Sequence, residues 1–301
     1  MVFKILNKKY LLLIVSFSLF FAIGSSEAAI LYLDPSEGPY FQEDIFIVEV
    51  KIDNEKECIN AVEVNLTFPD EVLELIDFSE TDSILSIWLR KPEVVEKGLI
   101  SFAGGIPGGF CGKLLGDPGD VNLITKLIFL VKNNKSNLAN IDFKDSQVLL
   151  NDSLGTKANL TFKGASFSIF PGTDEISINE WNEIKKNDFF PPEPFNIEIS
   201  QNFLIFDNQH FIIFYAKDKQ TGIDYYEIKE GSNDWKKAES PYLLEDQDLQ
   251  SIIIVKAVDR AGNEMVAEYY PILGKSYPLF IVIPFIVILI WLIYIRFFRK
   301  K

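Results

Sequence analysis

Histidine is nearly absent from this chain, and cysteine is scarce. The 301 residues include one histidine, His210, and two cysteines. A zinc site needs three or four nitrogen, sulfur or carboxylate ligands in close array, and this set does not supply the usual combination. A serine–histidine–acid triad is restricted to His210, and no G-x-S-x-G motif provides its nucleophile. His210 follows Asn208 and Gln209, a polar stretch typical of a turn, so we expect no catalytic role for it.

Basic residues are also outnumbered. The chain has 29 Lys and Arg against 43 Asp and Glu, a net charge of −14. The two ends hold seven of the basic residues and one of the acidic residues. The part between them therefore carries 22 basic and 42 acidic residues, a net charge of −20. A surface of that sign repels nucleic acid, and we therefore expect no nucleic-acid partner.

The N-terminal 29 residues have the pattern of a secretory signal peptide. Three lysines precede an apolar run from Leu11 to Ile23, and small residues follow. The apolar run is shorter than the roughly 20 residues that a membrane helix needs, which disfavours the alternative of an uncleaved anchor. Residues 1–29 therefore predict export of the chain.

The C-terminal end predicts a membrane anchor. Residues 278–295, PLFIVIPFIVILIWLIYI, contain no charged side chain and are long enough to cross a bilayer as a helix. The four basic residues of 296–301 suit the cytoplasmic side. We expect a single-pass type I protein of the cell membrane with a short cytoplasmic tail and the bulk of the chain outside. The alternative, a buried core helix, has no downstream residues to cover it.

Cys58 and Cys111 lie in the part of the chain predicted to be outside the membrane. Such compartments are usually oxidising, so the two cysteines are a candidate disulfide. A bridge between them would stabilise the fold by about 3–5 kcal/mol. Two separate thiols are the alternative.

Residues 30–170 read as short strands separated by turns. The stretch from Ala61 to Phe68 alternates apolar and polar residues, and Pro69-Asp70 then breaks it. Because many such strands occur without a long amphipathic helix, the region predicts an all-β sandwich. Residues 171–195 are polar and then rich in proline, which predicts a linker with one or two helical turns over 178–186.

The first domain resembles a cohesin domain. Three stretches carry the resemblance: residues 60–75, 99–110 and 124–132. They are similar to a strand that ends in a tight turn, to a later strand with its glycine-bearing loop, and to the core strand that follows. The resemblance implies a jelly-roll-like β-sandwich. It also implies binding of a dockerin module, the interaction that scaffolds exported polysaccharide-degrading enzymes on a cell surface.

Strands resume over residues 196–271, which predict a second, smaller sandwich. This region resembles bacterial immunoglobulin-like repeats, and the resemblance implies a spacer or adhesive module. The residues that carry it are 218–227, Trp235, 240–242 and 258–264. Asp218, Asp224 and Asp259 are candidate calcium ligands, with turn capping as the alternative interpretation. No other cofactor is predicted.

Residues 100–116, ISFAGGIPGGFCGKLLG, are rich in glycine. The stretch is not a P-loop, because no Ser or Thr follows Lys113 and no helix-forming run comes after it. Because it follows a strand, the stretch is expected at the rim of the sandwich or across one face, where its glycines would let a partner approach the backbone. A β-bulge or crossover with positive φ is the alternative. The candidate binding residues are Trp88, Gly104, Gly105, Pro107, Gly108, Gly109 and Phe110.

The aromatic residues of this region allow a second interpretation. Trp88, Phe102 and Phe110 are candidates for a platform that binds sugar or protein, and core packing is the alternative. The sequence thus predicts a non-catalytic, membrane-anchored binding or scaffolding protein. Its expected partner is an exported protein with a dockerin-like module, or else a polysaccharide bound directly. A glycoside hydrolase would need two carboxylates about 5–10 Å apart in a cleft.

Overall fold

The computed structural model describes residues 29–55, 57–112, 122–133, 137–172, 177–271 and 279–298. The chain divides into two compact units. The first unit contains the residues up to Asp188 together with 219–222, and the second contains 189–218 and the residues from Ile223 onward. Both units are built mainly of β-strands, so the predicted all-β class is confirmed.

Twelve strands lie in the described part of the first unit. They are β1 Ala29–Asp34, β2 Glu37–Phe41, β3 Ile45–Asp53, β4 Ile59–Thr67, β5 Leu73–Ser79, β6 Ile87–Glu96, β7 Leu99–Phe110, β8 Leu123–Val131, β9 Leu138–Phe143, β10 Gln147–Leu150, β11 Leu160–Lys163 and β12 Ala165–Phe170. One sheet has the order β11-β1-β3-β8-β5, and the other has the order β2-β12-β9-β4-β7-β6, with β10 also paired to β4. The pairs β1–β11 and β2–β12 are parallel, so in each sheet one of the first two strands of the unit pairs with one of the last two.

The core of the first unit lies between the two sheets. In β3 every second side chain, from Phe46 to Ile52, is fully buried, and in β4 the same holds for Val64 and Leu66. Strand geometry sends successive side chains to opposite faces, so alternation in the sequence becomes one buried face on each sheet. Each fully buried side chain of this size stabilises the fold by about 1.5–3 kcal/mol.

The predicted disulfide is confirmed. Cys58 and Cys111 are bonded, with their Cα atoms 4.1 Å apart. Cys58 immediately precedes β4 and Cys111 immediately follows β7, and these strands pair Ile59 with Phe110 at the same end of the ladder. The bridge therefore fixes the end of a strand pair that backbone hydrogen bonds already join.

Replacing both cysteines with serine is expected to lower the free energy of unfolding by about 4 kcal/mol. The reason is that the loop closed by this bridge, with a sequence separation of 53 residues, regains its entropy in the unfolded chain. Unfolding in guanidinium, followed by tryptophan fluorescence, measures the change. Wild-type chain treated with a thiol reductant is the control and should match the variant. An unfolding midpoint equal to that of the oxidised wild type would contradict the prediction.

The structure differs from the predicted linker over residues 177–188, which belong to the first unit. Helix α1, Glu180–Lys186, lies in this stretch. Asn179 is its N-cap, and the side-chain oxygen accepts the N–H of Asn182 at 2.8 Å. The helix thus begins with the cap type that its first turn requires.

Two side chains hold α1 against the outward side of the first sheet. The Trp181 ring is buried, and its indole N–H donates to the Asp77 carboxylate of β5 at 3.0 Å. The Glu180 carboxylate accepts the backbone N–H of Ile47 of β3 at 2.9 Å. These contacts are tertiary, and they explain why a stretch with the composition of a spacer is folded onto the sheet.

Tyr40 lies in the core of the first unit, where its ring stacks on Phe46 with centroids 3.9 Å apart. Burial raises the pKa of the Tyr40 phenol to about 12, and the charges of Glu180 and Asp44 add to the effect. Because the folded pKa exceeds the unfolded value of about 10, the phenol favours folding fully below pH 10. That contribution is lost as the pH rises through 12.

Comparison of the wild type with Tyr40→Phe tests whether this contribution to stability is lost as the pH rises. The free energy of unfolding of the wild type, relative to that of the variant, is expected to fall by about 2 kcal/mol between pH 9 and pH 12. Urea unfolding at a series of pH values measures it, and absorbance at 295 nm should show one fewer phenol ionising near pH 12. A difference that is constant with pH would contradict the burial of this phenol.

The second unit contains seven strands in its described part. They are β13 Ile197–Asn202, β14 Ile205–Phe214, β15 Ile223–Glu230, β16 Lys236–Ala238, β17 Tyr242–Leu243, β18 Ile253–Asp259 and β19 Glu264–Tyr269. One sheet has the order β13-β14-β17 and the other β16-β15-β18-β19. Ile212, Phe214, Ile228, Ile253 and Val255 are buried between them. The immunoglobulin-like identity of this unit stays a prediction.

Helix α2 spans Leu279–Phe298. Among the described residues, no helix meets the length and apolar character required to cross a membrane. The membrane helix over 278–295 and its tail therefore stay predictions, and residues 299–301 of the tail lie outside the described residues. The predicted signal peptide also lies outside them, apart from Ala29. That residue is buried as the first residue of β1.

Candidate functional site

The outward side of the β4–β7 ladder is a flat face of small and polar side chains. Alternation turns one residue in two outward from each strand, and the antiparallel register sets these residues in opposite pairs. The pairs are Ala61 with Gly105, Glu63 with Ala103, and Asn65 with Ser101. We call these six residues the small-residue face. Ala61, Ala103 and Gly105 contribute only methyl groups and hydrogens to it, so the sheet backbone beside them lies close to the surface.

A hydrogen-bonded chain of side chains crosses one end of the small-residue face. The Arg90 guanidinium of β6 donates to the Ser101 hydroxyl at 2.6 Å, and that hydroxyl donates to the Asn65 side-chain oxygen at 2.7 Å. Ser101 is buried beneath Arg90, whereas Arg90 is exposed. The chain fixes the arginine in one orientation, so a partner would meet a pre-positioned cation.

The rim of the face combines charge with exposed aliphatic side chains. The Gln147 amide of β10 donates to the Glu63 carboxylate and orients it. On the edge strand β6, Ile87 lies opposite Gly105, and Leu89 is 79% exposed. A flat centre with an aliphatic rim and a few fixed polar groups is the composition of a protein-binding surface.

The glycine-rich stretch lies within a strand and does not form the predicted rim loop. Strand β7 continues through Gly104 and Gly105 to Phe110. The ladder with β4 passes from the pair Ala61–Gly105 to the pair Ile59–Phe110. Residues 106–109 of β7 therefore stand opposite Asn60 alone and form an enlarged bulge. The β-bulge alternative is therefore the one that the structure shows, because backbone pairing continues on both sides of the irregularity.

Positive φ angles within the bulge explain two of the glycines. Gly108 and Gly109 have φ of 85° and 81°, a region that disfavours any side chain. A Cβ at Gly109 would also meet the Asn151 amide nitrogen at 2.3 Å. Asn151 donates from that nitrogen to the Gly108 carbonyl at 3.0 Å and thereby ties the bulge to a neighbouring turn. Pro107 and Gly108 are exposed, and their role in binding stays a prediction.

Glycine is required at position 104 for a different reason. It is buried and pairs with Val62 on one side and Trp88 on the other. A Cβ there would lie 2.6 Å from the Ile87 carbonyl oxygen and 2.8 Å from a methyl of Leu85. Gly104 thus permits the close approach of β6 and is inaccessible to a partner.

The three aromatic candidates for a binding platform contact the core of the first unit. Phe110 is 1% exposed and Phe102 is fully buried. Trp88 packs on the same core, with its ring centroid 6.4 Å from that of Phe102. All three occupy inward positions of β6 and β7, so core packing, the alternative interpretation, describes them. Phe102 and Phe110 are therefore inaccessible to a sugar in this structure.

His210 also differs from its expected position in a turn. It lies in β14 opposite Gln201, and its ring nitrogen Nδ1 is 3.0 Å from the Gln247 carbonyl oxygen. A carbonyl oxygen only accepts, so Nδ1 donates to it. The ring thus fastens the segment that follows β17 to the edge of β14, which is a structural role.

The candidate calcium ligands are brought together in part. Asp218 and Asp259 are buried, and one oxygen of each lies within 4.8 Å of the other. Asp224 is exposed at a bulge in β15. The Asp259 carboxylate accepts the backbone N–H groups of Ala261 and Asn263, both at 2.8 Å. Calcium binding stays a prediction, and these hydrogen bonds favour the turn-capping alternative at Asp259.

Asp259→Ala separates the two interpretations. If the carboxylate caps the turn, the variant loses about 2–3 kcal/mol of unfolding free energy, because two backbone N–H groups lose a charged acceptor. We expect the same loss in calcium chloride and in a calcium chelator, measured by thermal unfolding of the full chain. A wild-type midpoint that rises with calcium while the midpoint of the variant does not would contradict capping and support a calcium site.

A shallow cleft of about 240 Å³ lies on the outward side of the other sheet, lined by Asp34, Pro35, Ile47, Glu49, Lys126 and Ile184. The Lys51 ammonium lies 2.7 Å from the Asp34 carboxylate and 2.6 Å from that of Glu49. Burial acts to lower the pKa of Lys51, but hydrogen bonds to both carboxylates outweigh it and raise that pKa. One ammonium shared by both acids makes an ion-paired cluster, and not the general acid beside a nucleophile that a glycosidase uses.

Comparison with known proteins gives structural likeness only. No family model matches the chain, and no curated protein matches it. Among solved structures, the seventh ScaB type I cohesin from Pseudobacteroides cellulosolvens is 14% identical, and the match covers 50% of this chain and 96% of that one, with a TM-score of 0.40. A non-cellulosomal cohesin from the archaeon Archaeoglobus fulgidus is 17% identical over 48% of this chain and 92% of that one, with a TM-score of 0.36. A type I cohesin–dockerin complex from Clostridium thermocellum is 14% identical over 50% of this chain and 99% of that one, with a TM-score of 0.40. At these scores the likeness assigns no partner.

Proposed function

We propose that the first unit is a protein-recognition module that binds its partner on the small-residue face. The expected partner is an exported protein with a dockerin-like module, in a scaffold that serves polysaccharide breakdown. The likeness of residues 30–170 to a cohesin in sequence supports this partner class. No bond-making step is part of the proposal.

The observation that carries the proposal is the flatness of the face. Ala61, Ala103 and Gly105 carry no long side chain. Glu63, opposite Ala103, is held by a hydrogen bond from Gln147 of β10, and Arg90 is held by its hydrogen bond to Ser101. A partner helix or strand can approach such a surface closely and bury it, and the fixed charges then set its orientation. A sugar-binding platform would instead need exposed rings, whereas Phe102 and Phe110 are buried and Trp88 is partly buried against the core.

The location proposed for this module is the outer side of a cell membrane. The uncharged run of residues 278–295 and the basic residues that follow support an anchor in the type I orientation. The disulfide is compatible with an oxidising compartment outside the cytoplasm. In this arrangement the second unit serves as a spacer between the recognition module and the anchor.

Ala103→Arg tests the face. A long charged side chain at its centre would keep a flat partner from close contact, so capture is expected to weaken by about 100-fold or more. Immobilised full-length chain is exposed to the exported proteins of the source organism, and the captured proteins are identified by mass spectrometry. The matched control is Ala261→Arg, the same substitution at a partly exposed turn of the second unit.

The proposal holds if a protein with a dockerin-like module is retained by the wild type and by Ala261→Arg but not by Ala103→Arg. Thermal unfolding shows whether both variants are folded. Equal capture by all three chains would contradict binding of the partner at the small-residue face. Binding of the wild type to a glycan array, with no protein captured, would replace the proposal with direct carbohydrate binding.

A further inference from the structure

The turn between β13 and β14 exposes consecutive apolar side chains at one end of the second unit. Phe203 is 74% exposed, Leu204 is 90% exposed, and Ile205 is also exposed. We call these three residues the hairpin tip. Scattered exposed apolar residues are common, but three in sequence at the end of a hairpin form a projecting apolar surface.

The backbone around the hairpin tip is held in an unusual conformation. Phe206, Asp207 and Asn208 all have positive φ, of 56°, 48° and 63°. For a bulky residue such as phenylalanine this region is strained and persists only where contacts enforce it. The Phe206 ring packs on Phe211 with centroids 5.5 Å apart, and the Asn202 side chain accepts the N–H of Leu204 at 2.8 Å. These contacts keep the tip projecting instead of folded back onto the sheet.

The hairpin tip lies at the end of the unit from which the chain leaves β19. The segment that follows β17 runs beside His210, near the tip, and its Glu245 and Asp246 N–H groups donate to the Glu230 carboxylate. Glu230 is the last residue of β15 and pairs with Ile253. Ile253 in turn pairs with Tyr269, the last residue of β19. The tip and the exit of β19 are therefore at one end of the sandwich.

The opposite end of the unit is where the chain enters it. Phe195, just before β13, packs with Ala216, Ile223 and Ala257. Ile223 pairs with Asp259, the far end of the same sheet from Tyr269. The chain thus enters at one end and leaves at the other. From Pro271 to Leu279, where α2 begins, the backbone can extend at most about 28 Å.

We infer that the hairpin tip inserts into the headgroup–acyl boundary of the bilayer in which α2 is anchored. This inference rests on the membrane anchor proposed above. The short connection holds the tip end of the second unit near the bilayer surface, and burying exposed phenylalanine and leucine side chains there is favourable. Residues 201–210, QNFLIFDNQH, contain no Lys or Arg, so the contact requires no anionic lipid.

Site-directed fluorescence on the full chain tests the inference. Both cysteines are in the bridge, so one added cysteine gives one labelled position. Leu204→Cys labels the tip, Asp224→Cys labels an exposed position at the entry end, and Ile286→Cys labels α2. Each variant carries an environment-sensitive dye and is reconstituted in phosphatidylcholine vesicles, with or without a nitroxide on the acyl chain.

The nitroxide lipid is expected to quench the label at 204 by about twofold or more, to quench the label at 286 as well, and to leave the label at 224 unchanged. Quenching at 286 with none at 204 would overturn the tip inference and keep the anchor. No quenching at 286 would overturn the anchor and, with it, the inference that rests on the anchor. Equal quenching at 204 and 224 would show non-specific adsorption and overturn the inference.

Discussion

The register between β4 and β7 is the constraint on which the first unit depends. A shift of one residue would exchange the inward and outward sides of a strand and place Glu63 and Asn65 among the buried phenylalanines. Apolar burial opposes that shift along the whole ladder. The disulfide opposes it at the end, because it joins the two residues that flank the last pair, Ile59 and Phe110. The core and the small-residue face are thus two consequences of one pairing.

The bulge in β7 shows how the same ladder accommodates extra residues. Between two correctly paired positions β7 places four residues opposite the single residue Asn60 of β4, three more than a regular ladder holds, and Gly108 and Gly109 make the required turn. Such an insertion would ordinarily loosen a strand end. Here the bridge and the Asn151 side chain close it on both sides, so β7 returns to β4 and buries Phe110. Glycine and disulfide are complementary: one permits the distortion and the other confines it.

Local features of the sequence predicted the sheets well, because alternation and burial have the same period. They did not distinguish a loop from a bulge at residues 104–109, since glycine suits both and the pairing partner is more than 40 residues away in sequence. They also missed the docking of Trp181, which depends on Asp77 of a distant strand. The small-residue face was missed for the same reason. The outward alanines of β4 and β7 are visible in the sequence, but only the register shows that they are adjacent.

In the second unit the chain enters at one end of the sandwich and leaves at the other. Strand β13 begins beside the entry, strand β19 finishes at the exit, and both run in the same direction through the sandwich. A pull applied between the two ends therefore acts along the strands. Ladder hydrogen bonds lie across the strands, so such a pull loads many of them together instead of opening them one by one. A unit with its termini at one end would be unzipped under the same load, so this topology suits the spacer role proposed for the second unit.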